Sequence, residues 1–218
     1  IIFSLVLHTS YFLILGNLYN RGDLTIIYPV FRGFAPVFVT ILSVIFLKDY
    51  ISLKGLLGIG IIAFGLILLT IENYKNKLNI KLLIISIFVS IIISLYTFAG
   101  GAGVRSADNE FTFIVWNFFL VGWPTLSYVY IRKKNQLFKL ELKQYISIAI
   151  ASFMSIAAYT IILWAMKYQP IAYVASIREF SIIIASLIGF IFLKEKYTSI
   201  RFFSAVMFFV GVYFIYNS

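Results

Sequence analysis

Two arginines and one glutamate raise the first chemical question. Arg32 sits in "IIYPVFRGFAPVFV", and Arg178 precedes Glu179 in "IAYVASIREFSIII"; both stretches are otherwise largely apolar. A guanidinium stays charged and presents a planar fork of donors, which suits a carboxylate or phosphate better than a lysine does. One reading is a pair of ligand-recognising arginines. The other is a structural ion pair, with Glu179 reaching Arg32 across the molecule. Glu179 is not a natural partner for Arg178, because adjacent residues of a helix do not share a face. An ion pair that opens when ligand arrives would satisfy both readings, and snorkelling toward headgroups is a third.

Other polar side chains interrupt apolar runs. Pro29 and Pro36 flank Arg32. Pro36 has no N–H for the carbonyl of Arg32, so a kink is expected there, near the charge; Pro29 lies close enough to the helix start to be tolerated. Tyr96, Trp116 and Asn117 could line a cavity and stack on or hydrogen-bond to a substrate. Trp and Tyr also anchor helices at headgroup level, and Asn117 must in any case be bonded inward. The single histidine, His8, reads as a packing residue on an apolar helix. With no cysteine and one histidine in the chain, no thiolate metal site and no two-histidine site is available. Neither a metal nor another cofactor is expected.

The elements that must position these groups follow from composition. The chain has 218 residues, 62% hydrophobic and only 12% charged. Soluble domains carry about 25% charged residues. An integral membrane protein is implied. A span needs about 20 apolar residues, and about eight such runs occur, at 1–19, 24–47, 55–71, 82–103, 111–131, 144–166, 170–193 and 202–217. They are too long, and too free of period-two alternation, for barrel strands. The fold class is all-α, a polytopic transmembrane helix bundle. Arg32 and Arg178 each lie about 12 Å inside a run, where an ionised Arg costs about 3 kcal/mol unless it faces a polar interior. The net charge of +10 belongs mostly to residues flanking the runs. That pattern fits a bilayer rather than nucleic acid.

The chain repeats itself. "IFLKDYIS" at 45–52 matches "IFLKEKYT" at 191–198, and the same offset of 146 places Arg32 on Arg178, Phe34 on Phe180 and Gly65 on Gly211. Five runs, an odd number, separate equivalent elements, so the copies enter the membrane in opposite directions. Inverted repeats are a transporter architecture, with the site near the midplane where the halves meet. The second copy has two runs (82–103 and 111–131) with no counterpart in the first. Two further helices before residue 1 are therefore expected, making ten.

The residues resemble the EamA repeat of the drug/metabolite transporter superfamily. "GDLTIIYPVFRGFAPVFVTILSVIFLKD" and "GLLGIGIIAFGLILL" are similar to one repeat, and "YTIILWAMKYQPIAYVASIREFSIIIASLIGFIFLKEK" to the second. The resemblance divides the chain into a first repeat at 1–72, lacking its first two helices, and a second at 80–218. "YTFAGGAGVR" resembles a branch reading Tyr-Thr-x-x-Asp-Gly-x-Gly-x-Arg, matching at Tyr96, Thr97, Gly101, Gly103 and Arg105, with Gly100 at the acidic position. The resemblance implies a cytoplasmic C-terminus. The loop cations imply the opposite: Arg21, Lys75, Lys77, Lys81, Arg132, Lys133, Lys134, Lys139, Lys143, Lys194, Lys196 and Arg201 outnumber Lys48, Lys54, Arg105 and Lys167.

The expected function is that of a secondary transporter, moving a small anionic or zwitterionic metabolite by alternating access across the plasma (inner) membrane. Arg32, Arg178, Glu179, Tyr96, Trp116 and Asn117 are the expected substrate-binding set. A flippase for lipids or lipid-linked groups on the same scaffold is the alternative. A membrane-embedded enzyme ranks below both, because the acids lie mostly in loops and no nucleophile–base pair is apparent. The expected partners are the bilayer and the substrate, with a homodimer as a further alternative.

Overall fold

The computed structural model describes residues 2–21, 24–73, 80–137, 141–193 and 198–218, with side chains left out at 17–21, 24–30, 70–73, 80–82, 133–137, 186, 189 and 193. The described residues form helices α1 (Ile2–Arg21), α2 (Leu24–Leu47), α3 (Leu53–Asn73), α4 (Ile80–Arg105), α5 (Glu110–Leu137), α6 (Leu142–Tyr168), α7 (Ile171–Arg178), α8 (Phe180–Leu193) and α9 (Ser199–Tyr216). These match the eight expected runs, the seventh being divided into α7 and α8. Five segments are long and apolar enough to cross a membrane, and Ile171–Phe192 counts as one of them despite its break. The protein is an integral, multi-pass helical bundle. Lys75, Lys77, Lys139, Lys194 and Lys196, which weigh heavily in the charge bias, lie outside the described residues.

The tightest helix pair is α3 against α9, and glycines make it so. A Cβ on Gly58 would stand 2.6 Å from the carbonyl oxygen of Gly211, and one on Gly211 would stand 2.5 Å from Ile62 Cγ1. One turn pair further on, a Cβ on Gly65 would stand 3.3 Å from Ser204 O. In lipid, where no hydrophobic force drives helices together, small residues permit the close backbone approach that association needs. The geometry also carries information about symmetry. The 146-residue offset maps Gly58 onto Ser204 and Gly65 onto Gly211. Gly58 meets Gly211 and Gly65 meets Ser204, so the helices cross antiparallel, and exchanging them maps the contact onto itself.

A second seam joins α2 to α4. Ser86, Ser90 and Ser94 repeat every four residues and are all fully buried. Ser90 Oγ lies 2.8 Å from Phe31 O, and Ser94 Oγ lies 3.0 Å from Ala35 O. Each hydroxyl shares its proton with the carbonyl one turn back on its own helix. A serine stripe thus holds the arginine-bearing helix against α4 by side-chain-to-backbone bonds. Pro36 does not interrupt α2, which is helical throughout; the side chain of Pro29 lies outside those described.

The break comes instead in α7/α8, where there is no proline. Glu179 keeps near-helical angles (φ −67°, ψ −6°), yet its N–H bonds to Ser176 O, three residues back, at 3.2 Å. Its carbonyl accepts from Ile182 N, three residues on, at 2.9 Å. A tight turn therefore replaces the α-helical ladder at Glu179. One turn earlier, Ser176 Oγ bonds back to Ala172 O at 2.8 Å, a contact that bends helices.

α6 lies on the outside, with residues 142–158 all exposed, whereas its offset partner α1 packs against α4 and α5.

The α3–α9 seam predicts opposite outcomes for two glycines. Gly211→Leu should lower stability by about 3 kcal/mol or more, the overpacking cost where a backbone carbonyl is the obstacle. Gly60 has nothing within 4 Å of a built Cβ. Gly60→Ala should leave thermal unfolding unchanged or slightly raised, since Ala is the better helix former by about 1 kcal/mol. Thermal midpoints of the purified variants check both.

Candidate functional site

At the break, three charged side chains meet. Arg32 Nε lies 2.8 Å from Glu179 Oε2, and Arg178 Nη2 lies 3.4 Å from Glu179 Oε1. The carboxylate is fully buried, and the two guanidiniums are only 11% and 9% exposed. Arg32 comes from α2, and Glu179 from the α7/α8 turn, so the shorter contact joins two segments that the 146-residue offset aligns. The expectation that Glu179 is not a natural partner for Arg178 assumes an unbroken helix. Here the turn at Glu179 rotates the two side chains toward each other, which is why neighbouring residues pair.

The remaining contacts of the arginines are weaker. Arg32 Nη2 donates to Ser181 Oγ at 3.4 Å, and Arg178 Nη1 to Thr97 Oγ1 at 3.5 Å. Arg178 Nε has no hydrogen-bond partner. Two cations thus share one anion: Arg32 makes the shorter ion pair, and Arg178 the longer contact, a hydrogen bond to Oε1. A buried ion pair needs good geometry and filled valences to offset desolvation, and Arg178 leaves its Nε unfilled.

An aromatic wall stands beside Arg178. The rings of His8 and Tyr96 lie 4.1 Å apart between centroids, and His8 meets the edge of Tyr159 at 5.9 Å. Arg178 reaches this wall through Thr97, the chain neighbour of Tyr96. Behind His8 runs a polar chain: its Nδ1 lies 3.0 Å from Ser4 O, and Ser4 Oγ donates to Asn117 Oδ1 at 3.2 Å. Of the expected residues, then, Arg32, Arg178, Glu179 and Tyr96 come together. Asn117 is buried and joins them through Ser4 and His8. Trp116 does not join: it is 52% exposed on the outer face of α5, edge-on to Phe119 at 5.8 Å. Adjacent residues point about 100° apart on a helix, so α5 can turn only one of Trp116 and Asn117 inward.

A second polar cluster closes one end of the bundle, and sequence reasoning did not assemble it. Lys48 adopts a left-handed conformation (φ 54°), and Asp49 N bonds back to Ser43 O at 3.2 Å. This closes α2 with a Schellman-type turn and aims Asp49 at the start of α7. There Asp49 Oδ2 accepts from Ile171 N at 3.2 Å, while Oδ1 accepts from Arg105 Nη1 at 2.6 Å. Arg105 also donates to Met166 O and Gln169 O, the last carbonyls of α6. One ion pair thereby ties together the ends of α2, α4, α6 and α7. Beside it, Lys167 Nζ lies 2.8 Å from Glu110 Oε2, and Tyr168 donates to Glu110 Oε1. The signal was present in the matched Arg105 and in "KDY", but nothing in the sequence says that the two loops touch.

A model of the EamA-like transporter family matches residues 80–217. No curated protein matches the chain.

Charge counting ranks the variants of the buried triad. Arg32→Gln leaves one guanidinium with one carboxylate, a neutral pair. Glu179→Gln leaves two guanidiniums uncompensated. Glu179→Gln should therefore be the more destabilising, at about 3–5 kcal/mol. Arg32→Gln should cost clearly less, as read by thermal or denaturant unfolding in detergent. Equal losses would contradict the shared-carboxylate arrangement.

Proposed function

Because the chain belongs to the EamA-like transporter family, we propose that it is a secondary transporter, moving a small anionic or zwitterionic metabolite across the plasma membrane by alternating access. The observation that carries this reading is the unequal charge at the break: Arg32 and Arg178 share Glu179, with no second acid among the buried described residues. A buried positive charge in excess is costly in a bilayer interior and is relieved by a ligand's anionic group.

Two further features support the reading. First, the triad joins elements related by the repeat offset, so relative motion of the two halves must make or loosen the Arg32–Glu179 contact. Second, the turn at Glu179 gives α7/α8 the discontinuity that transporters place at midplane sites. Arg32 anchors Glu179, and Arg178, less well satisfied, receives the ligand. On arrival, the ligand's carboxylate takes over the donors that Glu179 only weakly engages. The Asp49–Arg105 contact would then hold one end of the bundle shut in this conformation, and its opening would accompany exposure of the site to that side.

Uptake into proteoliposomes, screened with labelled carboxylates and amino acids, tests the proposal. Arg178→Ala should reduce uptake about tenfold or more, because a charge-assisted hydrogen bond contributes about 1.5–3 kcal/mol. Uptake at the wild-type rate by a folded Arg178→Ala protein would overturn the recognition role. Lipid scrambling without uptake of any soluble solute would favour a flippase instead.

A further inference from the structure

Burying a hydroxyl or N–H without a partner is unfavourable, so each such group calls for an explanation. Apart from the atoms of the Arg32–Glu179 contact, the buried unbonded atoms among the described residues are Thr125 Oγ1, Tyr159 Oη, Arg178 Nε and Ser204 Oγ. Thr125 follows Pro124 in α5, and Ser204 lies in the α3–α9 seam. Tyr159 and Arg178 differ from these, because both face α4 one turn apart: Arg178 Nη1 reaches Thr97 Oγ1, and the Tyr159 hydroxyl faces Gly100. Two donors, one charged and one neutral, stand unused beside α4.

The local packing explains why the phenol has no acceptor. A Cβ on Gly100 would lie 3.3 Å from the Tyr159 hydroxyl. α4 therefore turns bare backbone toward that oxygen, and its carbonyls are already engaged in the helix. The ring is fixed from both sides, by the imidazole of His8 and by Phe118 at 5.7 Å.

We infer that Arg178 Nε and the Tyr159 hydroxyl together receive the carboxylate of an organic monoanion that lacks an ammonium group. This rests on the proposed transport function and narrows its substrate class. The charge count sets the valence. Two guanidiniums and one carboxylate leave a single positive charge, which one negative charge cancels and two would exceed. A zwitterion offers the same carboxylate, but its ammonium would need a buried acid. Glu179 is the only acid buried among the described residues, and both arginines engage it.

The test uses the full chain in lipid nanodiscs and three probes built on one carbon skeleton. These are 4-methylpentanoate (a monoanion), leucine (its zwitterionic amino derivative) and isobutylsuccinate (a dianion). Binding is read from ligand-induced thermal shifts. The monoanion should bind at least about tenfold more tightly than either other probe, the factor expected from one unpaired charge. Tyr159→Phe removes only the unpartnered hydroxyl. The empty variant should unfold at the same temperature as wild type or higher, while its affinity for 4-methylpentanoate falls about tenfold. Ser204→Ala, which removes a hydroxyl far from this site in the contact pattern, should bind as wild type does. Equal binding of leucine or isobutylsuccinate, undiminished binding by Tyr159→Phe, or no binding of any probe would each overturn the inference. A solute whose uptake needs Arg32 and Arg178 but not Tyr159 would also remove it, while leaving the proposed transport function standing.

Discussion

A guanidinium inside a bilayer has to be given a counter-charge, and this requirement organises the middle of the protein. Water is not there to solvate it, and the charge cannot be titrated away. Glu179 supplies the counter-charge from the α7/α8 turn. To reach it the chain gives up regular helix at Glu179, where three-residue backbone bonds replace the usual ladder on both sides. The same turn brings Arg178 onto the carboxylate already held by Arg32. One acid serving two bases leaves the site short of one negative charge, and the functional reading follows from that shortage.

The rest of the bundle holds the triad in place. The serine stripe of α4 grips α2 by the carbonyls of Phe31 and Ala35, on either side of Arg32 along the helix. The α3–α9 seam locks the two copies through Gly58, Gly65, Ser204 and Gly211, in a contact that exchanges with itself under the repeat offset. These are rigid contacts between backbones. The contacts around Arg178 are longer and unevenly satisfied, and the Asp49–Arg105 knot lies at one end of the bundle. Tight backbone seams therefore stand beside a loosely satisfied charge cluster.

Much of this was legible in the sequence. Long apolar runs fix the spans because a bilayer admits little else, and the offset that aligns Arg32 with Arg178 also aligns Gly65 with Gly211, two residues of the α3–α9 seam. Arg32 with Glu179 was legible as a pair from charge alone. What the sequence did not yield was the break at Glu179. Pro36 drew attention to α2, which stays helical, whereas α7/α8 breaks without a proline because of the contacts Glu179 makes in the fold. Trp116 illustrates a related ambiguity, since an aromatic beside Asn117 could face either way until the packing of α5 was known. Asp49 and Arg105 were legible one by one, but their meeting depends on how the helix ends converge.

The central claim is that Arg32 and Glu179 are directly coupled inside the membrane, across the two copies of the repeat. A double-mutant cycle with Arg32→Met and Glu179→Met, followed by unfolding in detergent, measures that coupling alone. The account predicts that the second substitution costs much less once the first is made, with a coupling of about 2 kcal/mol or more. Additive losses, within about 0.5 kcal/mol, would mean that the two side chains do not share an interaction, and the account built on their contact would be wrong.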